Sequence, residues 1–220
     1  MSSIKSYQAV LFDFDGTLLN TLEDLGSAVN RVLYSRGFPT HPMEAFRWFI
    51  GDGSAVLMER ALPPDQRNAG QVHECLQELL ADYSRNWHLA TQPYDGILAL
   101  LSALQDRKMA LAVVTNKPHP FTLKMIDHYF PRVPFGSVWG QQPDVPKKPD
   151  PFMALKAAAE IGVAPEHCVF LGDSCNDMRT ARSAGMLAVG AGWGFRPVQE
   201  LWDSGAAHVI QHPLMLLDLL

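Results

Sequence analysis

The chain has little cysteine, no long apolar run and no excess of basic residues. Its 220 residues include three cysteines, Cys75, Cys168 and Cys175. An odd number without Cys-x-x-Cys spacing does not support a disulfide framework or a structural zinc site. The longest apolar stretches, such as residues 109–114, are far too short to span a bilayer. Neither a small disulfide-rich protein nor a membrane-spanning one is therefore expected.

The charge balance points away from polyanionic partners. The formal net charge is −5 and no basic tract is present, which argues against nucleic acid or an anionic membrane surface as the main partner. Residues 1–8 lack the apolar core of a secretory signal. We therefore expect a cytoplasmic protein that acts on a small molecule, as a monomer or a homodimer.

What the sequence does contain is a pair of acids at the end of its first apolar run. Val10, Leu11 and Phe12 predict a buried strand, because such side chains suit a pleated, buried surface. Asp13 and Asp15 follow, and then a glycine that permits a sharp turn. Two carboxylates in a buried setting are costly without a cation. The pattern therefore predicts a metal site at the carboxyl end of this strand.

Three later segments carry further polar groups in similar positions. The predicted strand over residues 109–114 ends in Thr115 and Asn116, and Lys148 lies in a proline-rich loop whose preceding residue, Lys147, is expected to be solvated. The predicted strand over residues 168–171 runs into Gly-Asp-x-x-x-Asp, which places Asp173 and Asp177 four residues apart.

The order Asp-x-Asp, Thr, Lys and Gly-Asp-x-x-x-Asp resembles the motifs of the haloacid dehalogenase superfamily, and it covers the chain from Val10 to Asp177. The resemblance implies a phosphoryl-transfer site with Mg²⁺ as cofactor. Asp13 would be the nucleophile, and Asp15 would protonate the leaving alcohol and then activate water. Thr115 and Lys148 would hold the phosphoryl oxygens.

The metal ligands implied by the resemblance are oxygen atoms, which Mg²⁺ prefers. They are the carboxylates of Asp13 and Asp173 and the backbone carbonyl of Asp15, with Asp177 as a further ligand or an anchor. Dehalogenases of the superfamily lack an acid at the position of Asp15, so its presence favours phosphoryl transfer.

The element pattern predicts an α/β fold with an insertion. Thr21 and Asp24 have the spacing of a helix-capping box. Helices are predicted over residues 22–36, 42–50, 54–62 and 65–89, with no convincing strand among them. From residue 94 onward helices and strands alternate, ending in a helix over 214–219, which indicates a parallel sheet with helices on both faces. We therefore predict a Rossmann-like core from residues 1–19 and 89–220, interrupted by an all-helical cap over residues 20–88.

The insertion resembles that of the subgroup containing phosphoglycolate phosphatases, β-phosphoglucomutases and phosphonatases. The stretches 49–62 and 112–118 are most similar to phosphoglycolate phosphatases, which implies 2-phosphoglycolate as substrate. Arg47, Arg60 and Lys117 are candidates to bind its carboxylate, and Asn116 is a further candidate for substrate binding. Asn20 and Asp95 depart from the residues common in the family, Asp and Pro.

Several alternatives stay open at this point. A pyrophosphatase, a sugar-phosphate phosphatase or a phosphomutase could share every catalytic residue. Phosphonatase is disfavoured, because residues 20–88 contain no lysine to form a Schiff base. Outside these enzymes, a receiver module phosphorylated on aspartate would combine similar residues, but it is about half this length and lacks the insertion. A module that binds phospholigands without turnover is the remaining alternative.

Overall fold

The structure is a computed structural model, and it describes residues 7–220. The strands within this range are β1 (Ala9–Phe12), β2 (Leu19–Asn20), β3 (Gln92–Pro93), β4 (Ala110–Pro118), β5 (Phe135–Gln141), β6 (Cys168–Gly172), β7 (Leu187–Ala191) and β8 (His208–Ile210). Six of them form one sheet in the order β5-β4-β1-β6-β7-β8, with all neighbours parallel. β1 is central, and its Leu11 pairs with Ala112 on one side and Phe170 on the other.

The α-helices of the described chain are α1 (Leu22–Ser35), α2 (Phe46–Phe49), α3 (Ser54–Ala61), α4 (Ala69–Asn86), α5 (Ile97–Asp106), α6 (His119–Tyr129), α7 (Phe152–Glu160), α8 (Cys175–Ser183) and α9 (Val198–Asp203). No helix within residues 7–220 combines the length and the apolar character needed to cross a membrane.

The sheet is covered on both faces, as its buried strands show. Val10 and Phe12 pack into a core that includes residues of α1 and α5, whereas Ala9 and Leu11 pack into a second core with residues of α7 and α8. Alternate side chains of a strand point to opposite faces, so apolar residues at consecutive positions require two covered faces. The predicted fold class, a Rossmann-like parallel sheet with helices on both faces, is confirmed.

Between β1 and β4 the chain leaves the sheet and forms helices α1 to α4, a segment that we call the insert (residues 20–88). β2 and β3 pair antiparallel at its two ends, with Leu19 opposite Pro93. Two-residue strands carry no usable pattern in a sequence, so this ribbon was not predicted. The division of the chain at residues 20 and 88 stays a prediction.

The predicted capping box at the start of α1 is wrong. The Thr21 side chain makes no capping hydrogen bond, and its buried hydroxyl has no partner among the described residues. The Asp24 carboxylate instead accepts hydrogen bonds from the backbone N–H groups of Ala90 and Thr91 and from the Thr91 hydroxyl. A tertiary contact with the segment that follows the insert (residues 89–93), which we call the linker, therefore replaces the local one.

Other element bounds differ from the prediction for local reasons. The helix predicted from residue 65 begins at Ala69, because the Asn68 side chain accepts a hydrogen bond from the backbone N–H of Gln71 and caps it. β4 continues to Pro118, so Thr115 and Asn116 lie within the strand and not at its tip. The predicted last helix is a 3₁₀ segment, Pro213–Asp218.

Candidate active site

The acids of the two Asp motifs meet at the carboxyl ends of the central strands. Asp13 follows β1 directly, and its backbone N–H donates to the carbonyl of Leu171 in β6 at 2.9 Å. Asp173 follows β6, and Asp177 lies in the first turn of α8. One carboxylate oxygen from each of these three aspartates lies within 4.8 Å of the others. The parallel pairing of β1 with β6 therefore creates the cluster from residues 160 positions apart.

Lys148 bridges two of these aspartates although it belongs to a loop. Its Nζ is 2.7 Å from Asp13 Oδ1 and 2.6 Å from Asp177 Oδ1, and the side chain is buried. The other oxygen of Asp177 accepts from the backbone N–H and the hydroxyl of Ser174, which completes a capping box at the start of α8. Asp177 is thus held by its own helix while it holds Lys148.

The cluster contains more negative than positive side chains. Burial, followed by repulsion from Asp177, raises the pKa of Asp13 to about 7. Burial and the neighbouring carboxylates also raise the pKa of Asp173 well above its usual value. Lys148 supplies one positive charge against three carboxylates, so the cluster suits a hard divalent cation with oxygen ligands.

Glycines allow the backbone to pass close to Asp173. Gly16 has φ +84°, a left-handed conformation, and a Cβ there would overlap the Asp173 carboxylate. A Cβ on Gly194 would overlap the same side chain from the other side. The Asp173 oxygens accept from the Thr17 hydroxyl at 3.2 Å and from the backbone N–H of Phe195 at 2.7 Å. The glycine-rich stretch after β7 therefore serves to pack this aspartate.

Thr115 and Asn116 lie on β4, the strand next to β1, near the same edge of the sheet as Asp13. Their side chains have different partners. The Thr115 hydroxyl oxygen accepts from the backbone N–H of Lys117 at 3.2 Å, which leaves its own proton to donate. The Asn116 amide donates to the carbonyls of Gly51 and Lys148, and its oxygen accepts from the backbone N–H of Lys148. Asn116 therefore links the insert to the loop that carries Lys148.

Lys117 and Asp15 form a second buried ion pair beside the cluster. Lys117 Nζ lies 3.0 and 3.3 Å from the two carboxylate oxygens of Asp15, and 3.0 Å from the hydroxyl oxygen of Tyr83. Its interaction with these partners outweighs burial and raises the pKa of Lys117. Tyr83 belongs to α4 of the insert, and its sequence pattern indicated only a helix position facing the core. Nothing in the sequence distinguished it as a site residue.

The loop of residues 51–53, between α2 and α3, is attached to the core by hydrogen bonds. Asn176 donates to the Asp52 carboxylate at 2.8 Å, Lys147 Nζ donates to the Asp52 carbonyl at 2.8 Å, and Arg196 donates to the carbonyl of Ile50 at 3.2 Å. Lys147 was expected to be solvated, and that expectation is wrong. No sequence pattern signalled the other donors, because their acceptors are distant along the chain.

The two arginine candidates are not among the residues that line the cleft leading to the acids. Arg47 pairs with Glu44 at 2.9 Å, and Arg60 pairs with Asp52 at 2.7 Å. Lys117 does line the cleft, together with Asp13, Asp15 and Thr115. The insert contributes mainly apolar side chains to the same cleft, namely Leu25, Ile50, Leu57, Leu79, Leu80 and Tyr83.

Comparison with known proteins gives a consistent result. Residues 10–191 match the family described as haloacid dehalogenase-like hydrolase. A phosphoglycolate phosphatase from Pseudomonas putida is 35% identical over 196 residues, which cover 86% of this chain and 72% of that protein. A phosphoglycolate phosphatase from Psychrobacter arcticus is 32% identical over 200 residues, covering 88% and 87%.

Solved structures agree with the sequence comparison. A protein from Lactobacillus delbrueckii subsp. bulgaricus superposes with a TM-score of 0.90 at 29% identity, covering 96% of this chain and 97% of that one. The match spans both the sheet and the insert, since almost the whole chain is covered.

Proposed function

Because the chain belongs to the haloacid dehalogenase-like hydrolases and is a phosphoric monoester hydrolase, we propose that it is a Mg²⁺-dependent phosphatase of 2-phosphoglycolate that works through an aspartyl-phosphate on Asp13. The observation that carries this proposal is the clustering of Asp13, Asp173 and Asp177, with Lys148 paired to two of them, Asp13 and Asp177. The substrate is suggested by the names of the relatives from Pseudomonas putida and Psychrobacter arcticus.

In the first half of the reaction, a carboxylate oxygen of Asp13 attacks phosphorus and the ester P–O bond breaks. The proton of Asp15 goes to the leaving alkoxide, which departs as the alcohol. In the second half, Asp15 accepts a proton from water as the water oxygen attacks phosphorus. The P–O bond to Asp13 then breaks, and inorganic phosphate leaves with both aspartates regenerated.

The phosphoryl oxygens are held by groups that the structure presents on adjacent strands and loops. The Thr115 hydroxyl has a proton to donate, because its oxygen already accepts from the backbone N–H of Lys117. Lys148 donates a charged hydrogen bond from its position between Asp13 and Asp177. Both donors are fixed before the substrate arrives, so the charge that develops in the transition state meets oriented dipoles.

The residues present fit a magnesium ion. Asp13 and Asp173 offer carboxylate oxygens, and the family resemblance adds the backbone carbonyl of Asp15 as a third ligand. Asp177 has donors on both oxygens, from Lys148 and from Ser174, which supports a role as anchor. When bound, Mg²⁺ would balance the excess negative charge of the cluster and polarise the phosphoryl group.

We further propose that the insert over residues 20–88 acts as a cap on the core formed by residues 1–19 and 89–220. Support comes from the 51–53 loop, which receives hydrogen bonds from Asn116, Lys147 and Asn176 of the core. A lid of this kind excludes water from a reactive phosphoryl group. Cytoplasmic location, a monomer or homodimer, and the absence of nucleic acid or membrane partners stay predictions of the sequence.

The test is inorganic phosphate release from 2-phosphoglycolate by the wild-type protein with Mg²⁺, with EDTA, and by the Asp13→Asn variant with Mg²⁺. We expect release by the wild type with Mg²⁺ only. Release that persists in Asp13→Asn would contradict the nucleophile. Hydrolysis of a sugar phosphate but not of 2-phosphoglycolate would contradict the substrate and leave the mechanism standing.

A further inference from the structure

The cleft above Asp13 and Asp15 has mainly apolar side walls. The side chains of Leu25, Ile50, Leu57, Leu79, Leu80 and Phe121 line it, and none of these can donate or accept a hydrogen bond. Within the described chain, the uncharged hydrogen-bonding side chains of the cleft are four, those of Ser54, Tyr83, Thr115 and Asn116. A substrate that carries several hydroxyl groups would place some of them against the apolar walls, at a cost of about tenfold to a hundredfold in kcat/KM for each one left unpaired. The walls therefore suit a short leaving group with few polar atoms.

Among the described residues that line the cleft, Lys117 is the one lysine or arginine. Its side chain is 2% exposed, and its partners are the two oxygens of Asp15 and the Tyr83 hydroxyl. An ammonium group surrounded by apolar walls interacts more strongly with an anion than it would in water. Lys117 is thus the one cationic side chain of the described cleft lining, and it is held beside the Asp15 carboxylate.

Resting on the phosphatase function proposed above, we propose that Lys117 selects the phosphomonoesters of short 2-hydroxy acids by binding their carboxylate. The ester oxygen of the substrate must lie at Asp15 to receive its proton. In a phosphorylated 2-hydroxy acid, one carbon separates that oxygen from the carboxyl carbon. The cation for this carboxylate must therefore lie next to Asp15, which is where Lys117 is placed.

Through Tyr83, the position of the Lys117 ammonium group also depends on the insert. Its hydroxyl oxygen accepts from Lys117 at 3.0 Å, and its ring lies 4.7 Å from Lys117 Nζ. Asp15 from the core and Tyr83 from the insert together fix the direction of the ammonium group. The carboxylate-binding position is therefore complete only when α4 lies against the core.

The test compares four substrates by kcat/KM in the presence of Mg²⁺. They are 2-phosphoglycolate, ethyl phosphate (the same length without the carboxylate), 3-phosphooxypropanoate (one carbon longer) and glucose 6-phosphate. For the wild type we expect 2-phosphoglycolate to exceed ethyl phosphate by about a hundredfold, because a charged hydrogen-bonded pair is lost with the carboxylate. The longer acid and the sugar phosphate should both be poorer than 2-phosphoglycolate.

Variants of Lys117 show whether this lysine binds the substrate carboxylate or only holds Asp15 in place. Lys117→Met should reduce the preference for 2-phosphoglycolate over ethyl phosphate to within about threefold, and Lys117→Arg should restore part of it. Lys156→Met, which changes an exposed lysine on α7, should keep the wild-type preference. A disturbed Asp15 would lower kcat/KM for 2-phosphoglycolate and for ethyl phosphate by the same factor, so the ratio of the two values is unaffected by it.

Two results would overturn the inference while the phosphatase function stands. One is an equal loss on both substrates in Lys117→Met, which would make the lysine a support for Asp15 only. The other is a wild type that prefers ethyl phosphate or glucose 6-phosphate, a result that needs no variant to fold. Failure of the wild type to release phosphate from any of the four esters would instead refute the proposed function itself.

Discussion

Removing the Asp24 carboxylate should destabilise the protein without touching the site. Asp24 is 3% exposed and lies on α1, and it joins the start of the insert to the linker that follows it (residues 89–93). Its oxygens accept from Ala90 N at 3.0 and 3.1 Å, from Thr91 N at 2.8 Å and from Thr91 Oγ1 at 2.7 Å. Asp24→Ala leaves these three donors without their acceptor.

The magnitude follows from the burial of each donor. Thr91 is fully buried, whereas Ala90 is exposed and can bond to water. A buried donor left unpaired costs about 1–3 kcal/mol, and a lost hydrogen bond to a charged group is worth about 1.5–3 kcal/mol. Because these terms overlap, we expect Asp24→Ala to lower the free energy of unfolding by about 3–5 kcal/mol.

The assay is urea unfolding followed by circular dichroism, with the slope compared between variants. Asp24→Asn keeps one acceptor oxygen and should lose about 1–2 kcal/mol, and Thr91→Val, which removes one donor, about 1 kcal/mol. Glu23→Gln, at the exposed neighbouring position, is the control and should stay within about 0.5 kcal/mol. A loss below about 1 kcal/mol for Asp24→Ala would refute the assignment of Asp24 as the clamp between insert and linker.

Three further predictions concern the site. Gly194→Ala should raise the Mg²⁺ concentration for half-maximal activity by about tenfold, because its Cβ would displace Asp173; Gly70→Ala, on α4, is the control, and an unchanged requirement would contradict the packing argument. Asn176→Ala should lower kcat/KM by about threefold to tenfold by releasing the 51–53 loop, measured by phosphate release, and wild-type kinetics would show that activity does not depend on this hydrogen bond. In EDTA, the raised pKa of Asp13 means that the folded state holds a proton on this carboxyl more tightly than the unfolded state does. The stabilisation from this proton is present near pH 4 and is lost as pH rises to about 7. Asp13→Asn should reduce the slope of that part of the stability profile in thermal unfolding and leave the part due to Asp173, whose pKa is also raised. A slope as steep as that of the wild type would assign the effect to groups other than Asp13.

The strands of the core were predictable because they are buried on both faces. The runs at residues 10–12 and 168–171 are continuously apolar, and each ends in the acids of a motif. Their pairing in parallel around β1 follows from the alternation of helices and strands. The capping box expected at Thr21 failed for the opposite reason, because Asp24 found better donors in a segment that is distant along the chain.

Some residues of the candidate site were predictable from the sequence and others were not. The motif residues have a recognisable order and spacing, and the fold brings them to one edge of the sheet; they are Asp13, Thr115, Lys148 and Asp173. Tyr83 carries no such signal, because a tyrosine at a buried helix position looks like any other core residue.

The sequence by itself determined the fold class, the order of the motifs and the chemistry that their side chains can perform, because these depend on residue type and short-range periodicity. Only the tertiary structure decided which cation faces the cleft. Arg47, Arg60 and Lys117 carry the same charge. The arginines are paired with Glu44 and Asp52 and do not line the cleft, whereas Lys117 is paired with Asp15 and does. An ion pair between residues 102 positions apart depends on how the strands and the insert pack, and no local pattern encodes that distance.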